Sequence, residues 1–247
     1  VDDFKPFDSK SRTWTLKDGV VNSSPLSGDP RPGNAKFKKL TPVDENSANP
    51  YTLTDDDRTV IGNTTPKFSG GFGLNATFKG FDVSAFFNFM YDFDVFNANK
   101  VMMTTWASNN YNNFSMDISA AKRWRNFDDM GNEIRYSPEI LAEFNKNATM
   151  WNPTSIGRPI AMSYAVEDGS FLRLNTATIG YTLPRAWTNK VGLSRVRFYA
   201  SGYNLFTITG YSGYDPEVDI ATGLTPNIDN NRYPRSRTYT FGVQLTF

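Results

Sequence analysis

The chain has 247 residues, 26 Lys plus Arg against 25 Asp plus Glu, and neither cysteine nor histidine. A net charge of +1 argues against polyanion binding by bulk charge, and the missing Cys and His exclude disulfides, zinc–cysteine sites, Ser-His-Asp triads and Cys-His dyads. Aromatic residues make up 15% of the chain although mean hydropathy is −0.48, a combination that suits a soluble β-protein or an outer-membrane barrel, and no apolar run approaches the roughly 18 residues of a transmembrane helix.

The opening stretch, VDDFKPFDSKSRTWTL, has no basic n-region or apolar h-region, so no signal peptide is visible and the sequence reads as if from the middle of a protein. Residues 1–67 are rich in turn formers, as in NSSPLSGDPRPGN and TPVDENSANPYTLTDDDR. They predict long loops with at most short strands such as 12–17. At Phe68 the texture changes. Phe68, Phe72, Leu74, Ala76 and Phe78 alternate with Ser69, Gly71, Gly73, Asn75 and Thr77. After Lys79-Gly80 a second run resumes, with Phe81, Val83, Ala85, Phe87, Phe89, Tyr91 and Phe93 on one face. Two alternating runs joined by a two-residue, Gly-containing link predict a tight hairpin with strands at 68–78 and 81–93. Each arm is long enough to cross a bilayer at a tilt, which takes roughly 9–11 residues.

Residues 94–169 predict a long insert with short helices in DISAAKRWRNF and SPEILAEFN, the second with Ser137 as N-cap and Pro138 in the first turn. A third strand is predicted at 171–183. Its two halves have opposite phase, Leu172 and Leu174 against Ala177, Ile179 and Tyr181, which predicts a bulge or a membrane exit near Asn175. A short connection leads to a fourth strand at 195–207, and a long loop at 208–234 precedes a fifth at 236–247. Short links at 79–80 and 184–194 thus alternate with long ones, as the periplasmic turns and extracellular loops of outer-membrane barrels do. The expected fold is all-β: an antiparallel transmembrane β-barrel of which 68–247 supply strands and 1–67, 94–169 and 208–234 supply extracellular loops. Phe78, Phe81, Trp187 and Phe247 fall at the short-turn boundary, where an aromatic girdle belongs.

The last strand alternates Tyr239, Phe241, Val243, Leu245 and Phe247 against Thr238, Thr240, Gly242, Gln244 and Thr246. The other reading of this strand is the final core strand of a soluble sandwich. Lys122, Arg123 and Arg125 around Trp124 form one short basic run in a neutral chain, which fits a solvated helix face better than nucleic-acid binding. Asp55, Asp56 and Asp57 lack the spacing, central Gly and closing Glu of an EF-hand, so no metal site is expected. Asp215 and Glu217 stand two apart, yet Pro216 between them fits an Asx turn better than an acid/base pair. No catalytic residues and no cofactor are expected. Trp124, Tyr211, Tyr214, Arg232 and Tyr233 lie in the long loops and offer aromatic faces and guanidinium forks to a ligand.

An ordered series of blocks, among them PGNAKF, DDDRTVIGNTTPKFSGGFG, FKGFDVSAFFNF, EDGSFLRLNTATIGYTLP, RVRFYASGYNLFTIT, GYDPEV and YPRSRTYTFGVQLTF, resembles the C-terminal part of the SusC/RagA family of TonB-dependent outer-membrane transporters over about residues 30–247. The resemblance implies a much longer protein with a plug domain, absent from this chain, and a barrel in the outer membrane of a Gram-negative bacterium. It implies active import of a glycan or oligopeptide. The implied partners are a SusD-like surface lipoprotein, outer-membrane lipid, and TonB acting through the missing N-terminal region. The terminal strand Tyr239, Phe241, Val243, Leu245 and Phe247 resembles the signal read by the barrel-assembly machinery. The family's acidic Gly-containing stretch is PVDENSANPYTLTDDDR here, a departure that argues against a cation site. A passive porin and a soluble carbohydrate-binding module are the alternatives.

Overall fold

The computed structural model describes residues 1–106, 113–157, 159–218 and 227–247, so the stretches 107–112, 158 and 219–226 of the expected loops lie outside the described residues. The chain divides into two compact units, Val1–Val60 with Asn99–Met162 and Ile61–Ala98 with Ser163–Phe247.

The second unit holds the strands: β1 (Phe68–Phe78), β2 (Phe81–Tyr91), β3 (Asp94–Asn97), β4 (Val166–Asp168), β5 (Phe171–Thr182), β6 (Arg195–Thr209), β7 (Ile228–Asp229) and β8 (Thr238–Thr246). The five long strands form one antiparallel sheet in the order β1-β2-β5-β6-β8. The sheet is open, with β1 and β8 at its edges. Lys79 and Gly80 between β1 and β2 both have positive φ, 47° and 90°, as a type I′ turn requires.

Register explains the sheet's two faces, because directly paired residues point to the same side. Phe78, Phe81, Tyr181, Phe198 and Val243 form one row across all five strands. Ala76, Val83, Ile179, Ala200 and Phe241 form the next, and Leu74, Ala85, Ala177, Gly202 and Tyr239 a third. The opposite face carries Thr77, Asp82, Gly180, Tyr199 and Gly242, then Asn75, Ser84, Thr178, Ser201 and Thr240. The apolar rows are not a core. Leu74, Phe78, Phe81, Val83, Ile179, Phe198, Tyr239, Phe241 and Val243 are all exposed. A sheet in water packs its apolar face and solvates its polar one; here the apolar face is left uncovered as well. At the end of the sheet where the short connections lie, Phe78, Phe81, Trp187 and Phe247 are exposed together.

The phase change in β5 has its expected cause. Against β2 the register passes from Thr176↔Phe86 to Leu174↔Phe87, and against β6 from Thr176↔Tyr203 to Leu174↔Phe206. Asn175 is left unpaired on both sides, a bulge that returns Leu172 and Leu174 to the apolar face.

The segments read as irregular loops supply more order than their sequences predict. β3, from 94–169, pairs antiparallel with β4 and parallel with β7 from the 208–234 loop. Phe93, Val95, Phe171, Tyr211 and Val218 form a buried cluster in this unit.

The first unit has little regular structure. An α-helix forms at Pro138–Phe144, with Ser137 in the N-cap position but without a side-chain cap hydrogen bond. The helix expected in DISAAKRWRNF is reduced to a 3₁₀ turn at Met116–Ile118, and residues 12–17 make only the isolated bridges Asp8↔Thr13 and Phe4↔Leu16. Side chains do the work of a ladder instead. The buried Asn145 accepts from the Arg125 amide at 2.7 Å and donates to the carbonyls of Arg125 and Leu141, each at 2.9 Å. Gly33, at φ 87°, lies under the Trp124 ring, and a Cβ there would sit 2.1 Å from Trp124 Cδ1. Gly33→Ala combines the left-handed-backbone penalty with overpacking, so it is expected to lower stability by about 2–4 kcal/mol. The thermal midpoint followed by tryptophan fluorescence checks this; an unchanged midpoint removes the packing role given to Trp124.

Candidate functional site

The segment after β6 is fastened at two points, and the fastenings decide which side chains it can offer. Tyr211 is the first. It is 6% exposed, and its hydroxyl donates to Asp229 Oδ2 at 2.6 Å. Burial, then that hydrogen bond to a carboxylate, pushes the phenol well above its ordinary pKa. Beside it, Glu167 accepts from the Ser212 amide at 3.0 Å and the Ser212 hydroxyl at 2.9 Å.

The second fastening is a charge network. Arg173 projects from β5 and is 2% exposed. Its Nη2 donates to Asp215 Oδ1 at 2.5 Å, and its Nη1 lies 3.6 Å from Glu217 Oε2. The Glu217 amide donates to Asp215 Oδ1 at 2.9 Å, closing the expected Asx turn. Arg235, just ahead of β8, donates to Glu217 Oε1 at 2.6 Å. Both carboxylates are thus engaged by arginine, which leaves no proton-transfer pair of the kind glycoside hydrolysis needs.

Tyr214 lies between these fastenings and is 84% exposed. Tyr233 is 91% exposed, and Arg232 is also exposed, its amide 3.4 Å from Asp229 Oδ1. Of the five residues singled out in the sequence, Tyr214, Arg232 and Tyr233 are therefore at the surface of the second unit. Tyr211 is not available, because its ring belongs to the buried cluster and its hydroxyl is taken. Trp124 lies in the first unit, half-buried over Gly33. Its basic neighbours act locally too: Arg123 donates to the Ile118 carbonyl, Arg125 to Asp129 while stacking at 4.3 Å on Phe144, and Lys122 pairs with Asp117.

Arg173 and Glu167 were not singled out by the sequence. Arg173 is a lone charge within the alternating run FLRLNTATIGY, which is itself a signal: a charge on a long strand needs a partner, and Asp215 is supplied 42 residues on. The polar face of the long sheet holds a second such pair. Arg197 Nε donates to Asp82 Oδ1 at 2.9 Å, and its Nη2 pairs with Asp82 Oδ2. Gly180 on the strand between them makes this possible, since a Cβ there would sit 2.4 Å from Arg197 Nη2. Tyr199 lies over Gly242 in the same way.

Within the acidic run Asp55–Asp57, Asp57 is structural. Asp57 accepts from the amides of Leu40, Thr41 and Thr54 at 2.8–2.9 Å and from Lys39 Nζ at 3.2 Å. These bonds, led by the Thr41 amide, hold its carboxyl far below the usual range. Among the described residues no group of three or more acidic side chains could hold a metal ion.

No family model matches the chain. Individual proteins do. TonB-dependent receptor P3 of Formosa agariphila is 32% identical over 90% of this chain and 20% of its own length. TonB-dependent receptor SusC of Bacteroides thetaiotaomicron is 32% identical over 61% of this chain and 15% of its own length. Over most of its length the chain is similar to TonB-dependent receptors of the SusC/RagA type. Among solved structures, a chain of the RagAB peptide transporter matches with a TM-score of 0.54 and 25% identity, covering 74% of this chain and 17% of its own. The chain spans about a fifth of the length of these curated relatives. No helix among the described residues is long and apolar enough to cross a membrane, which leaves the strands as the elements to consider.

Proposed function

We propose that this chain forms part of the wall and outer loops of a longer TonB-dependent importer in a Gram-negative outer membrane, and that β1, β2, β5, β6 and β8 are five consecutive strands of its closed barrel. The observation that carries this reading is the division of the sheet's faces: apolar rows run across all five strands with their large side chains exposed, while the other face is mainly serine, threonine, asparagine, glycine and paired charges, with Phe86, Tyr199 and Tyr203 among them. In hydrocarbon the first face meets lipid and the second lines the lumen. The edges at β1 and β8 then pair with strands of the rest of the barrel. The terminal residues Tyr239, Phe241, Val243, Leu245 and Phe247 serve in assembly as well as in the lipid face.

The cargo is a large nutrient, a glycan or an oligopeptide, taken with the help of a SusD-like surface lipoprotein. The RagAB neighbour is a peptide transporter, and exposed tyrosine faces with a nearby arginine suit sugars and peptides alike. Energy comes through TonB by way of a region outside this chain. The receptor binds and moves its cargo without covalent chemistry.

Uptake in cells tests the reading against a passive porin. Replacing Tyr214, Arg232 and Tyr233 together by alanine is expected to reduce uptake of the receptor's own nutrient several-fold with barrel assembly intact. Loss of TonB is expected to abolish that uptake. Uptake that persists without TonB supports the porin and discards the importer.

A further inference from the structure

The first unit carries a cation held in an unusual way. Residues 4–16 form a hairpin, bridged at Phe4↔Leu16 and Asp8↔Thr13, and Arg12 sits at its tip with φ 54°. That is left-handed backbone, where glycine or asparagine is the ordinary occupant and a longer side chain is disfavoured. The conformation holds the Arg12 guanidinium 5.2 Å from the centroid of the Tyr136 ring. Tyr136 in turn lies 6.0 Å from Phe7, and Phe7 lies 4.9 Å from Trp14. Phe7, Trp14 and Tyr136 are each half-buried, so part of every ring remains at the surface.

The neighbouring acids leave Arg12 unneutralised. Asp8 is turned into its own loop, accepting from the Lys10 amide at 2.9 Å and the Ser11 hydroxyl at 2.7 Å. Glu133 is paired with Arg135, which stacks on Tyr136 at 5.6 Å from the centroid. Among the described residues no carboxylate lies within 4 Å of Arg12. An exposed guanidinium fork is therefore positioned by a disfavoured backbone and one ring, with no hydrogen-bond acceptor for its donors among the described residues. Disfavoured backbone occurs at tight turns, as at Lys79, and clusters at ligand clamps.

We infer that Arg12 with Tyr136, Phe7 and Trp14 is a binding site for an acidic carbohydrate, whose carboxylate or sulfate takes the Arg12 fork while the apolar face of its ring lies against the aromatic cluster. Planar bidentate geometry matches either oxyanion, and an aromatic face suits the C–H side of a sugar. An acidic peptide supplies the oxyanion but not a rigid ring beside it. The inference rests on the importer reading, because it names the class of cargo met first at an outer loop.

Trp14 provides the measurement. The full-length receptor, purified in detergent, is titrated with tetragalacturonate, with a neutral galactose tetramer and with tetraglutamate, and binding is read by calorimetry and by tryptophan fluorescence. Tetragalacturonate is expected to bind saturably and at least tenfold more tightly than either control. Arg12→Ala is expected to weaken it at least tenfold, with Arg12→Lys intermediate because the charge stays and the fork goes. Arg12→Gly keeps the fold secure: it relieves the backbone, so the thermal midpoint should rise or hold while binding is lost. Unchanged tetragalacturonate binding in Arg12→Gly overturns the site. So does the absence of saturable binding in the wild type, and tetraglutamate binding as tightly overturns the carbohydrate assignment. Because no transport step is measured, these failures are separate from failure of the TonB test.

Discussion

Phe241→Arg is expected to keep the receptor from assembling, whereas Thr240→Arg, one residue away on the same strand, is expected to be tolerated. The two positions lie at the same depth and differ only in face. Phe241 belongs to the apolar row with Ala76, Val83, Ile179 and Ala200, and Thr240 to the polar row with Asn75, Ser84, Thr178 and Ser201. A guanidinium at the lipid midplane costs about 2–4 kcal/mol, and far less in a polar lumen. Thr240 is chosen over Gln244 because Gln244 pairs directly with Arg197, where a new arginine would meet a like charge. Phe241→Ala serves as control for loss of the ring, and should assemble. The readout is the heat-modifiable, protease-protected fraction in outer-membrane preparations. Equal assembly of Phe241→Arg and Thr240→Arg would mean that the sheet has no lipid face, and the barrel reading would go with it.

The parts of this fold legible in the sequence are those governed by a short repeat. Period-two alternation locates the long strands, because apolar residues recur at every second position over long runs of each. The Lys79-Gly80 turn is legible because a two-residue link demands positive φ. The change of phase near Asn175 is visible too, and of the two causes it allows, a bulge or a membrane exit, the register shows the bulge. The second sheet is not legible. β3 and β7 are 4 and 2 residues long, too short for a repeat, and their pairing joins segments about 130 residues apart. The burial of Tyr211 is illegible for a related reason. A tyrosine in a polar loop looks exposed until its hydroxyl acquires a buried carboxylate, here Asp229, 18 residues on.

Arg173 should have the largest effect among the residues that the repeat does not explain. Removing one partner of a buried ion pair leaves the other desolvated and costs about 3–5 kcal/mol, whereas replacing the whole group by neutral side chains is close to neutral. Arg173→Ala strands Asp215 and Glu217, whose side chains are only 13% and 15% exposed. Glu217 retains Arg235, but that arginine is 46% exposed and screened by water, so it offers little compensation. The loss is expected to be local: the 211–218 segment should open while the long sheet, held by its own ladder, stays closed. Native-state hydrogen exchange is the measurement. At about 1.4 kcal/mol per tenfold change, protection of the Tyr211 and Glu217 amides should fall by roughly two orders of magnitude or more, with the β6–β8 amides unchanged. Arg173→Met combined with Asp215→Asn and Glu217→Gln should recover most of that protection. If Arg173→Ala alone leaves the segment protected, the loop is held by the Tyr211–Asp229 fastening and Tyr214 owes its exposed position to that contact alone. If the triple variant opens as far as Arg173→Ala, the charges contribute through their hydrogen bonds rather than by neutralising one another.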